Sequence, residues 1–282
     1  MNVAITGSNG LIGSRVVKLL KNDFNFIPLP HSDLDITNQE EVVKKLNEIN
    51  FDILLHLAAY TDVDGAENNK SQAYDLNVNA TKYLFEKTQK LGKKMIYLST
   101  DFVFDGKLPP YDELSTPHPI GYYGQTKFEG EEIVKDKAMI VRISYPYNSN
   151  VILSEAKNPR KSDFAQKISQ LLSDGKELKM VTDAAMTPTN IDDIALGLKY
   201  LMNNFKPEIY HLVGKKTYTP FEIGKMIAKA YGRSESLIIP TTFQEYGKNK
   251  SPRPQYSIIM TSKNTFQPMK KFEEGVNLIL NK

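Results

Sequence analysis

A tyrosine and a lysine four residues apart, Tyr123 and Lys127, stand near the middle of the chain. A helical pattern over residues 125–135 follows a turn-rich stretch, and residues four apart share one face of a helix. A lysine ammonium beside a phenol favours the phenolate and lowers the tyrosine pKa from its usual value of about 10. Tyr123 could then exchange a proton with a carbonyl or alcohol oxygen at neutral pH. Because this spacing also occurs by chance on helix surfaces, the pair needs support from the rest of the chain.

A glycine-rich turn near the N-terminus supplies a second candidate site. Residues 2–6 form a short apolar run that predicts a strand, and a helical pattern begins at residue 11. Gly7, Gly10 and Gly13 lie between strand and helix, where they permit a tight turn, approach of backbone N–H groups to a pyrophosphate, and close packing of helix on strand. The alternative is a glycine-rich turn without a ligand. The flanking strand and helix favour a dinucleotide site.

The elements that must position these residues alternate between strand and helix. Apolar runs predict strands at residues 25–29, 52–57, 94–99 and 138–143, and helical patterns predict helices at 38–49, 66–91 and 125–135. This alternation is typical of an α/β fold with a Rossmann-type, doubly wound parallel sheet. Ligands bind such a sheet at the carboxyl ends of its strands. Three polar clusters are predicted there: the Gly7 turn, residues 58–62 and residues 99–101.

The second half of the chain is less regular. A polar loop is predicted at 146–163, helices at 164–173, 220–231 and 271–280, a strand at 178–181, and a helix capped by Asn190. We therefore expect a nucleotide-binding domain over residues 1–145, to which residues 183–213 return. Residues 146–182 and 214–282 would form a smaller C-terminal substrate-binding lobe that covers the strand ends.

Composition limits the classes of function. The chain has 282 residues, of which 40% are hydrophobic and 24% charged, as in ordinary globular proteins. Its net charge of +3 argues against a nucleic-acid surface, and no apolar run is long enough to span a membrane. There are no cysteines, which excludes disulfides and thiolate chemistry, and no His and carboxylate cluster has the spacing of a metal site. The N-terminus does not resemble a signal peptide, so we expect a cytoplasmic protein.

Four stretches of the chain resemble a known family of enzymes. They are Thr6-Gly-Ser-Asn-Gly-Leu-Ile-Gly13, Leu57-Ala-Ala-Tyr-Thr-Asp-Val-Asp64, Ser99-Thr-Asp-Phe-Val-Phe-Asp-Gly106 and Tyr123-Gly-Gln-Thr-Lys127. They resemble the extended short-chain dehydrogenases/reductases, and most closely the dTDP-4-dehydrorhamnose reductase group of nucleotide-sugar 4-ketoreductases. The third stretch is the most characteristic of this group. The resemblance covers nearly the whole chain and is strongest over residues 1–145.

The resemblance implies roles for the catalytic residues. Thr100 would hydrogen-bond the keto oxygen of the substrate, Tyr123 would be the general acid, and Lys127 would hold the nicotinamide ribose and lower the Tyr123 pKa. The hydride would come from a nicotinamide cofactor, so the protein supplies position and a proton. The cofactor-binding residues implied in this way are Gly7, Asn9, Gly10, Leu11, Ile12, Gly13, His31, Ser32, Asp35, Ile36, Ala58, Ala59, Tyr60, Ser99, Tyr123 and Lys127.

The end of the second predicted strand bears on the choice of cofactor. The segment from Pro28 to Asp35 carries no acidic residue where one would bind the 2′-hydroxyl of NAD. His31 and Ser32 could accept a 2′-phosphate, although no arginine is present. NADPH is therefore favoured and NADH stays open. Asp35 and Ile36 would flank the adenine.

The implied substrate is a nucleotide-linked sugar, with Thr61, Thr100, Asp101, Tyr145 and Arg253 as its contacts. Thr61 would line the nicotinamide side, Asp101 would reach a sugar hydroxyl, and Arg253 would meet the nucleotide diphosphate. Asp101 could equally be a structural turn residue, and Arg253 a surface arginine in a rigid turn. Tyr145 stands where the rhamnose-pathway enzymes usually have tryptophan, which leaves the identity of the sugar open.

Three functions compete at this point. The leading prediction is an NAD(P)H-dependent reductase of a nucleotide-linked 4-keto-6-deoxy sugar, such as dTDP-4-dehydrorhamnose. An epimerase or dehydratase of the same superfamily is an alternative, although the Asp-Glu pair that dehydratases carry after the threonine is absent. The third is a non-catalytic, NADP-binding regulatory subunit resembling that of methionine adenosyltransferase. The stereochemistry at C4 and the formation of a homodimer stay open.

Overall fold

A computed structural model of the chain describes residues 1–148 and 163–277, which form alternating strands and helices. The strands in chain order are β1 (Asn2–Thr6), β2 (Asn25–Leu29), β3 (Ile53–His56), β4 (Lys94–Thr100), β5 (Met139–Ile143), β6 (Pro146–Tyr147), β7 (Leu178–Val181), β8 (Ala185–Met186), β9 (Thr189–Asn190), β10 (Ile209–His211), β11 (Ile238–Thr241) and β12 (Tyr256–Ser257). The helices are α1 (Leu11–Leu20), α2 (Gln39–Glu48), α3 (Val63–Asn68), α4 (Lys70–Tyr74), α5 (Ala80–Lys90), α6 (Tyr122–Val134), α7 (Phe164–Ser173), α8 (Ile191–Asn203), α9 (Pro220–Ala230), α10 (Phe243–Gly247) and α11 (Phe272–Asn277).

The central sheet has six strands in the order β10-β5-β4-β3-β1-β2. All neighbouring pairs are parallel. A parallel sheet is covered on both faces, which explains why β3 and β5 consist of fully buried residues. The chain order reverses at β1, whose neighbours are β2 on one side and β3 on the other. The predicted α/β fold with a doubly wound parallel sheet is confirmed.

Two hydrophobic cores lie on the two faces of this sheet. On one face α1 and α8 pack against the strands through residues such as Val16, Leu20, Ile194 and Leu198. On the other face α2, α5 and α6 contribute Val42, Leu46, Leu84 and Val134. The same layer arrangement fixes α6, and with it Tyr123 and Lys127, beside the carboxyl end of β4.

The helical region after β3 differs from the single helix predicted at 66–91. α3 ends at Asn68, and a second helix runs from Lys70 to Lys90 through α4, a π-helical turn at Asp75–Asn79 and α5. A π-turn inserts an extra residue and re-aims side chains, often near functional sites. Here it brings Asn77 against the loop that follows β3, where its Oδ1 accepts a hydrogen bond of 2.8 Å from the Tyr60 amide.

The catalytic helix begins earlier than its predicted start at residue 125. Gly121 has extended backbone angles and caps α6, which starts at Tyr122. Gly121 has no side chain that could accept a hydrogen bond from the first turn of α6. The Tyr122 amide instead donates to Glu67 Oε1 at 2.7 Å. Both Tyr123 and Lys127 therefore lie within the helix.

Most of the remaining residues form a smaller assembly beside the carboxyl ends of the strands. Three short parallel pairs, β7 with β11, β8 with β12 and β6 with β9, accompany α7, α9 and α11. Their shared core includes Tyr147, Ile223, Ile227 and Phe272. β10, by contrast, lies at the edge of the central sheet. Residues 149–162 of the predicted loop, 278–280 of the predicted last helix, and 281–282 lie outside the described residues.

Candidate functional site: a nucleotide groove beside a tyrosine–threonine pair

The glycine turn between β1 and α1 is shaped for close approach of a ligand to the backbone. Gly7 has a φ of +68°, which glycine adopts without strain. A Cβ on Gly13 would collide with the Gly7 carbonyl, so the helix can pack this close only with glycine there. The N-terminus of α1 has no side-chain cap and no acidic residue in its first turn. The Ser8 hydroxyl is buried and has no hydrogen-bond partner within the described parts of the chain. Free amides and a positive helix end fit a pyrophosphate.

A groove of about 900 Å³ opens at this turn, and we call it the cofactor groove. Its walls bring together seven of the predicted cofactor residues: Gly7, Asn9, Gly10, His31, Asp35, Ile36 and Ala58. The predicted Leu11, Ile12, Gly13, Ser32, Ala59, Tyr60, Ser99, Tyr123 and Lys127 are not part of its lining. The opposite wall is formed by residues 68–72 with Asp75 and Leu76, for which the sequence carried no signal.

Two predicted residues near β2 make local contacts. Asp35 Oδ1 accepts hydrogen bonds from the Thr37 amide at 3.0 Å and the Thr37 hydroxyl at 2.7 Å, and these bonds lower the pKa of Asp35. The Ser32 hydroxyl donates to Asp33 at 2.8 Å. His31 lines the cofactor groove. Of these residues, His31 and Asp35 line the groove, and Ser32 does not.

A buried polar chain that the sequence did not predict connects the cofactor groove to α6. The Thr6 hydroxyl bonds His56 Nδ1 at 2.7 Å and accepts from the Ala58 amide at 3.3 Å. His56 Nε2 contacts the Thr81 hydroxyl at 3.2 Å, and that hydroxyl donates to the Asn77 carbonyl, which makes Nε2 the donor. Burial, with a further contribution from the nearby Lys127 charge, lowers the pKa of His56 to about 3. His56 therefore stays neutral and keeps one tautomer.

Asn77 continues this chain to the catalytic helix. Its Nδ2 donates to the Thr126 hydroxyl at 2.9 Å and to the Tyr60 carbonyl at 3.2 Å, while its Oδ1 accepts from the Tyr60 amide. The Thr126 hydroxyl in turn donates to the Tyr123 carbonyl at 2.9 Å. One amide side chain thus fixes the loop after β3 relative to α6.

Thr100 and Tyr123 lie together at the carboxyl end of β4. Burial raises the pKa of the Tyr123 phenol to about 12. A hydrogen bond with Thr100 opposes this rise, and the Asp101 charge adds to it. The Thr100 hydroxyl also donates to Asp101 Oδ1 at 3.0 Å. The adjacent Ser99 hydroxyl is buried without a hydrogen-bond partner in the described residues. Strand end and helix thus bring two hydroxyl groups together, and a keto oxygen could accept from both once the Thr100 O–H turns from Asp101 towards it.

The prediction that Lys127 lowers the Tyr123 pKa is wrong for the groups present in this structure. Lys127 Nζ donates to the Leu98 carbonyl at 2.8 Å and lies 4.0 Å from the centre of the Tyr97 ring. Burial lowers the pKa of Lys127 to about 7, with Glu131 opposing this. A lysine that is half neutral at pH 7 and hydrogen-bonded to a carbonyl of β4 does little to lower the Tyr123 pKa. The sequence could not reveal this because it does not show burial.

Asp101 lies inside the protein and bonds neighbouring hydroxyl groups. Its Oδ2 accepts from Ser144 at 2.8 Å and from Ser257, and Oδ1 accepts from Thr100. Burial raises the pKa of Asp101, which these hydrogen bonds partly counter. The carboxyl group ties the end of β4 to β12 and to the residue after β5. These contacts are those of a structural residue, the alternative that the sequence left open for Asp101.

Tyr145 follows β5 with a φ of +40°, an unusual conformation for a residue with a side chain. Its ring lies 6.1 Å from that of Phe102 and 6.2 Å from that of Phe164, and the Phe102 ring lies 5.6 Å from that of Tyr123. Burial raises the pKa of the Tyr145 phenol above its ordinary value. The rings of Phe102, Tyr145 and Phe164 therefore form an aromatic wall beside the Thr100 and Tyr123 hydroxyls. A strained backbone such as that of Tyr145 is common at ligand sites.

The guanidinium of Arg253 is largely engaged by the protein. Its Nε donates to the Ser251 carbonyl at 3.0 Å, its Nη1 contacts the Tyr246 hydroxyl at 3.4 Å, and its Nη2 pairs with Asp64. The side chain is 14% exposed. Arg253 is thus a fixed cation beside the loop after β3, where Thr61 also lies.

A buried ion pair supports α6 from behind. Arg142 on β5 binds Glu131 on α6 with both ends of its guanidinium, at 2.9 and 2.7 Å, and both side chains are almost fully buried. His211 Nε2 lies 3.4 Å from Arg142 Nη1, and its Nδ1 bonds the Met260 carbonyl at 2.7 Å. His211 is therefore a hydrogen-bonded core histidine. Sequence reasoning missed Glu131 and Arg142.

The described residues contain neither a metal-binding cluster nor a membrane-spanning helix. Among residues 1–148 and 163–277, no group of three or more His, Asp or Glu side chains is placed to hold a metal ion. In the same parts of the chain, no helix has the length and apolar character needed to cross a membrane.

Comparisons with known proteins identify the family. The family model for the RmlD substrate binding domain matches residues 1–282. The chain is 30% identical over 277 residues to the probable low-salt glycan biosynthesis reductase Agl14 of Haloferax volcanii, covering 93% of this chain and 90% of that protein. It is 29% identical over 266 residues to methionine adenosyltransferase 2 subunit beta of Xenopus laevis, covering 89% and 77%.

A solved structure is similar over nearly the whole chain. The crystal structure of dTDP-4-dehydrorhamnose reductase from Bacillus anthracis, in complex with NADP, superimposes with a TM-score of 0.89 and 31% identity and covers 99% of this chain and 98% of that one. The glycine turn, the Thr100–Tyr123 pair and the match over all 282 residues agree. The chain belongs to the RmlD family of extended short-chain dehydrogenases/reductases.

Proposed function

We propose that this protein is an NADPH-dependent reductase of a nucleotide-linked 4-keto-6-deoxy sugar, with dTDP-4-dehydrorhamnose as the first substrate to test. The observation that carries the proposal is the pairing of the Thr100 and Tyr123 hydroxyls at the end of β4. A chain of buried hydrogen bonds connects this pair to a groove whose glycine turn fits a dinucleotide. The family of the chain supports the same function.

The cofactor would lie along the cofactor groove. Gly7, Asn9 and Gly10 would bind the pyrophosphate, and Asp35 and Ile36 would flank the adenine. His31 faces the groove at the end of β2 and would contact the 2′-phosphate, with Ser32 beside it. No carboxylate stands at that strand end to claim a 2′-hydroxyl, so NADPH is the cofactor that fits best. Leu11, Ile12, Ala58, Ala59, Tyr60 and Ser99 complete the proposed binding set.

Bound NADPH would supply the hydride for reduction of the keto carbon. The Tyr123 hydroxyl would donate its proton to the keto oxygen, and the Thr100 hydroxyl would hold that oxygen by a hydrogen bond. A pKa of about 12 keeps Tyr123 protonated at neutral pH, which is the form that a general acid needs. Lys127 is assigned to the nicotinamide ribose, and its pKa of about 7 allows Nζ to give up or regain a proton near neutral pH.

The substrate would bind between the aromatic wall and Arg253. Tyr145, with the ring of Phe102, would pack on the sugar, and Arg253 would meet the diphosphate while Thr61 lines the nicotinamide side. Asp101, to which the Thr100 hydroxyl donates, would orient Thr100 rather than contact the sugar. Residues 1–145 and 183–213 would form the cofactor-binding domain, whose strand ends also contact the substrate, and residues 146–182 and 214–282 would form the substrate-binding lobe.

A non-catalytic NADP-binding subunit is the second candidate, because one relative is a subunit of methionine adenosyltransferase. Retention of Thr100, Tyr123 and Lys127 together favours the enzyme. A dehydratase is disfavoured because Asp101 and Phe102 follow Thr100 where its acid–base pair would be needed.

The test is oxidation of NADPH by the purified protein with dTDP-4-dehydrorhamnose, run in parallel with NADH. Turnover with NADPH, and slower turnover with NADH, is expected. Binding of NADPH without turnover of this or related nucleotide-linked keto sugars would contradict the proposal and favour the subunit. A homodimer and a cytoplasmic location stay predictions, tested by the mass in solution and by cell fractionation.

A further inference from the structure

A short segment from the second half of the chain packs against the start of α6 and against the turn after Thr100. We call residues 250–254 the strap. The carbonyl of Pro252 lies so close to Gly121, at the cap of α6, that a Cβ there would collide with it. A Cβ on Gly106 would lie 2.9 Å from Cβ of Pro254. The strap therefore packs without a gap against the start of the catalytic helix and against the turn that follows Thr100.

The carboxylate of Asp64 on α3 binds three residues of the strap. Oδ1 accepts from the Ser251 amide at 3.0 Å and pairs with Arg253, and Oδ2 accepts from Lys250 Nζ at 3.0 Å. The Asp64 carbonyl accepts from the Ser251 hydroxyl at 3.3 Å. These hydrogen bonds and the two cations lower the pKa of Asp64 despite partial burial. Four donors on three strap residues, Lys250, Ser251 and Arg253, make Asp64 the anchor point of the segment.

The charges at this anchor suit an anionic ligand. Asp64 meets both Lys250 and Arg253, so the group of three retains one net positive charge. A guanidinium has five N–H groups. Three of those on Arg253 are used by Ser251, Tyr246 and Asp64. The two that remain, one on each terminal nitrogen, suffice for a two-point contact with a phosphate.

The same short helix also touches the other two parts of the site. Glu67, three residues after Asp64, accepts the Tyr122 amide at the start of α6. Residues 68–72, directly after α3, form one wall of the cofactor groove. Through α3, the strap is thus connected to the catalytic helix and to the groove.

We propose that Asp64 is a positioning residue that holds Arg253 and the strap in place for a nucleoside diphosphate, the nucleotide part of the substrate. The inference rests on the proposed function, because it takes Arg253 as the group that meets the diphosphate. Asp64 itself does not contact the substrate. It fixes the direction of the guanidinium and keeps the strap against α6.

The experiment compares Asp64→Ala, Arg253→Met and the double variant with the wild type. In each, affinity for dTDP is measured by calorimetry, together with KM and kcat for the nucleotide sugar and affinity for NADPH. Asp64→Ala should weaken dTDP binding and raise KM by about tenfold, as expected for loss of one member of an ion pair that orients a binding cation. Affinity for NADPH and kcat should be unchanged, which also shows that the variant is folded.

The double variant and a conservative variant separate positioning from a merely structural contribution. Since Asp64 acts through Arg253, the double variant should bind dTDP no more weakly than Arg253→Met alone, and Asp64→Glu should recover part of the affinity. Asp23→Ala is the matched control. Asp23 is similarly exposed, at 33% against 39% for Asp64, and pairs with Lys199 at 2.6 Å far from the strap. This variant should behave as the wild type.

Two results would overturn the proposal: dTDP affinity of Asp64→Ala equal to that of Asp23→Ala, or losses that multiply in the double variant. Failure of the wild type to bind dTDP at all would instead contradict the proposed function, and with it the role given to Arg253. The affinity for NADPH, measured in all variants, reports on the cofactor groove independently of both.

Discussion

Replacing Lys127 by methionine should stabilise the protein near neutral pH while it removes catalytic activity. Lys127 is buried on α6, where its ammonium has one hydrogen bond, to the Leu98 carbonyl, and faces the Tyr97 ring. Water solvates an ammonium better than these two groups do, which is why the pKa of Lys127 falls to about 7. Methionine is similar in length and carries no charge to bury.

The size of the effect follows from the pKa. The folded chain, with a pKa of about 7, binds fewer protons than the unfolded chain, with 10.5, between those two pH values. The free energy of unfolding therefore rises with pH across this window. Relative to an uncharged side chain, Lys127 destabilises the fold by about 4 kcal/mol at pH 7 and about 1 kcal/mol at pH 9.5. Methionine leaves the Leu98 carbonyl without this donor, which costs about 1–3 kcal/mol.

The variant should thus gain about 1–3 kcal/mol at pH 7 and gain nothing, or lose stability, at pH 9.5. Denaturant unfolding of both proteins at the two pH values measures the difference. Lys82→Met, at an exposed position on α5, is the control and should show no such dependence on pH. A Lys127→Met protein less stable than the wild type at pH 7, or a difference that does not change with pH, would refute the reasoning.

Three further predictions concern the groove and the supports behind it. Gly13→Ala should weaken NADPH binding, measured by fluorescence titration, because its Cβ would collide with the preceding turn, whereas Gly247→Ala, in open space, should bind as the wild type does. Glu131→Gln or Arg142→Met should each lower the unfolding free energy by about 3–5 kcal/mol, because each leaves a buried charge unpaired, and the double variant should lose less than their sum. Additive losses would contradict this. Because the pKa of His56 falls from 6.5 to about 3, stability should decrease as the pH drops from 6.5 towards 3. His56→Asn should flatten that acid limb, and an unchanged limb would speak against a buried neutral histidine.

Local patterns predicted the elements that carry the site. β1, β2, α7 and β7 have the predicted bounds, because each is a short apolar or amphipathic run limited by turn residues. The glycine turn was predictable for a similar reason, since its strand, glycines and helix follow one another in the sequence. In the folded turn a Cβ on Gly13 would collide with Gly7. The predicted start of α6 was three residues too late, because the acceptor for the Tyr122 amide, Glu67, comes from another helix.

Contacts between distant residues could not be predicted in this way. Asp64 and Arg253 are 189 positions apart, and no pattern within either segment indicates that they pair. The direction of the Lys127 ammonium, towards β4, depends on the packing of α6 on the sheet. The pKa of Tyr123 depends on its burial, which the spacing of Tyr123 and Lys127 does not reveal. Helix periodicity predicted that Tyr123 and Lys127 share a face, whereas their pKa values depend on tertiary packing.

The most direct test of the central claim is the rate of NADPH oxidation by Tyr123→Phe with dTDP-4-dehydrorhamnose. Phenylalanine keeps the ring against Phe102 and removes only the hydroxyl that lies beside Thr100. The account predicts that kcat falls by at least about a hundredfold, the typical contribution of general acid catalysis, while affinity for NADPH stays close to that of the wild type. A variant that turns over at nearly the wild-type rate would show that the proton comes from another group, and would contradict the role assigned to Tyr123.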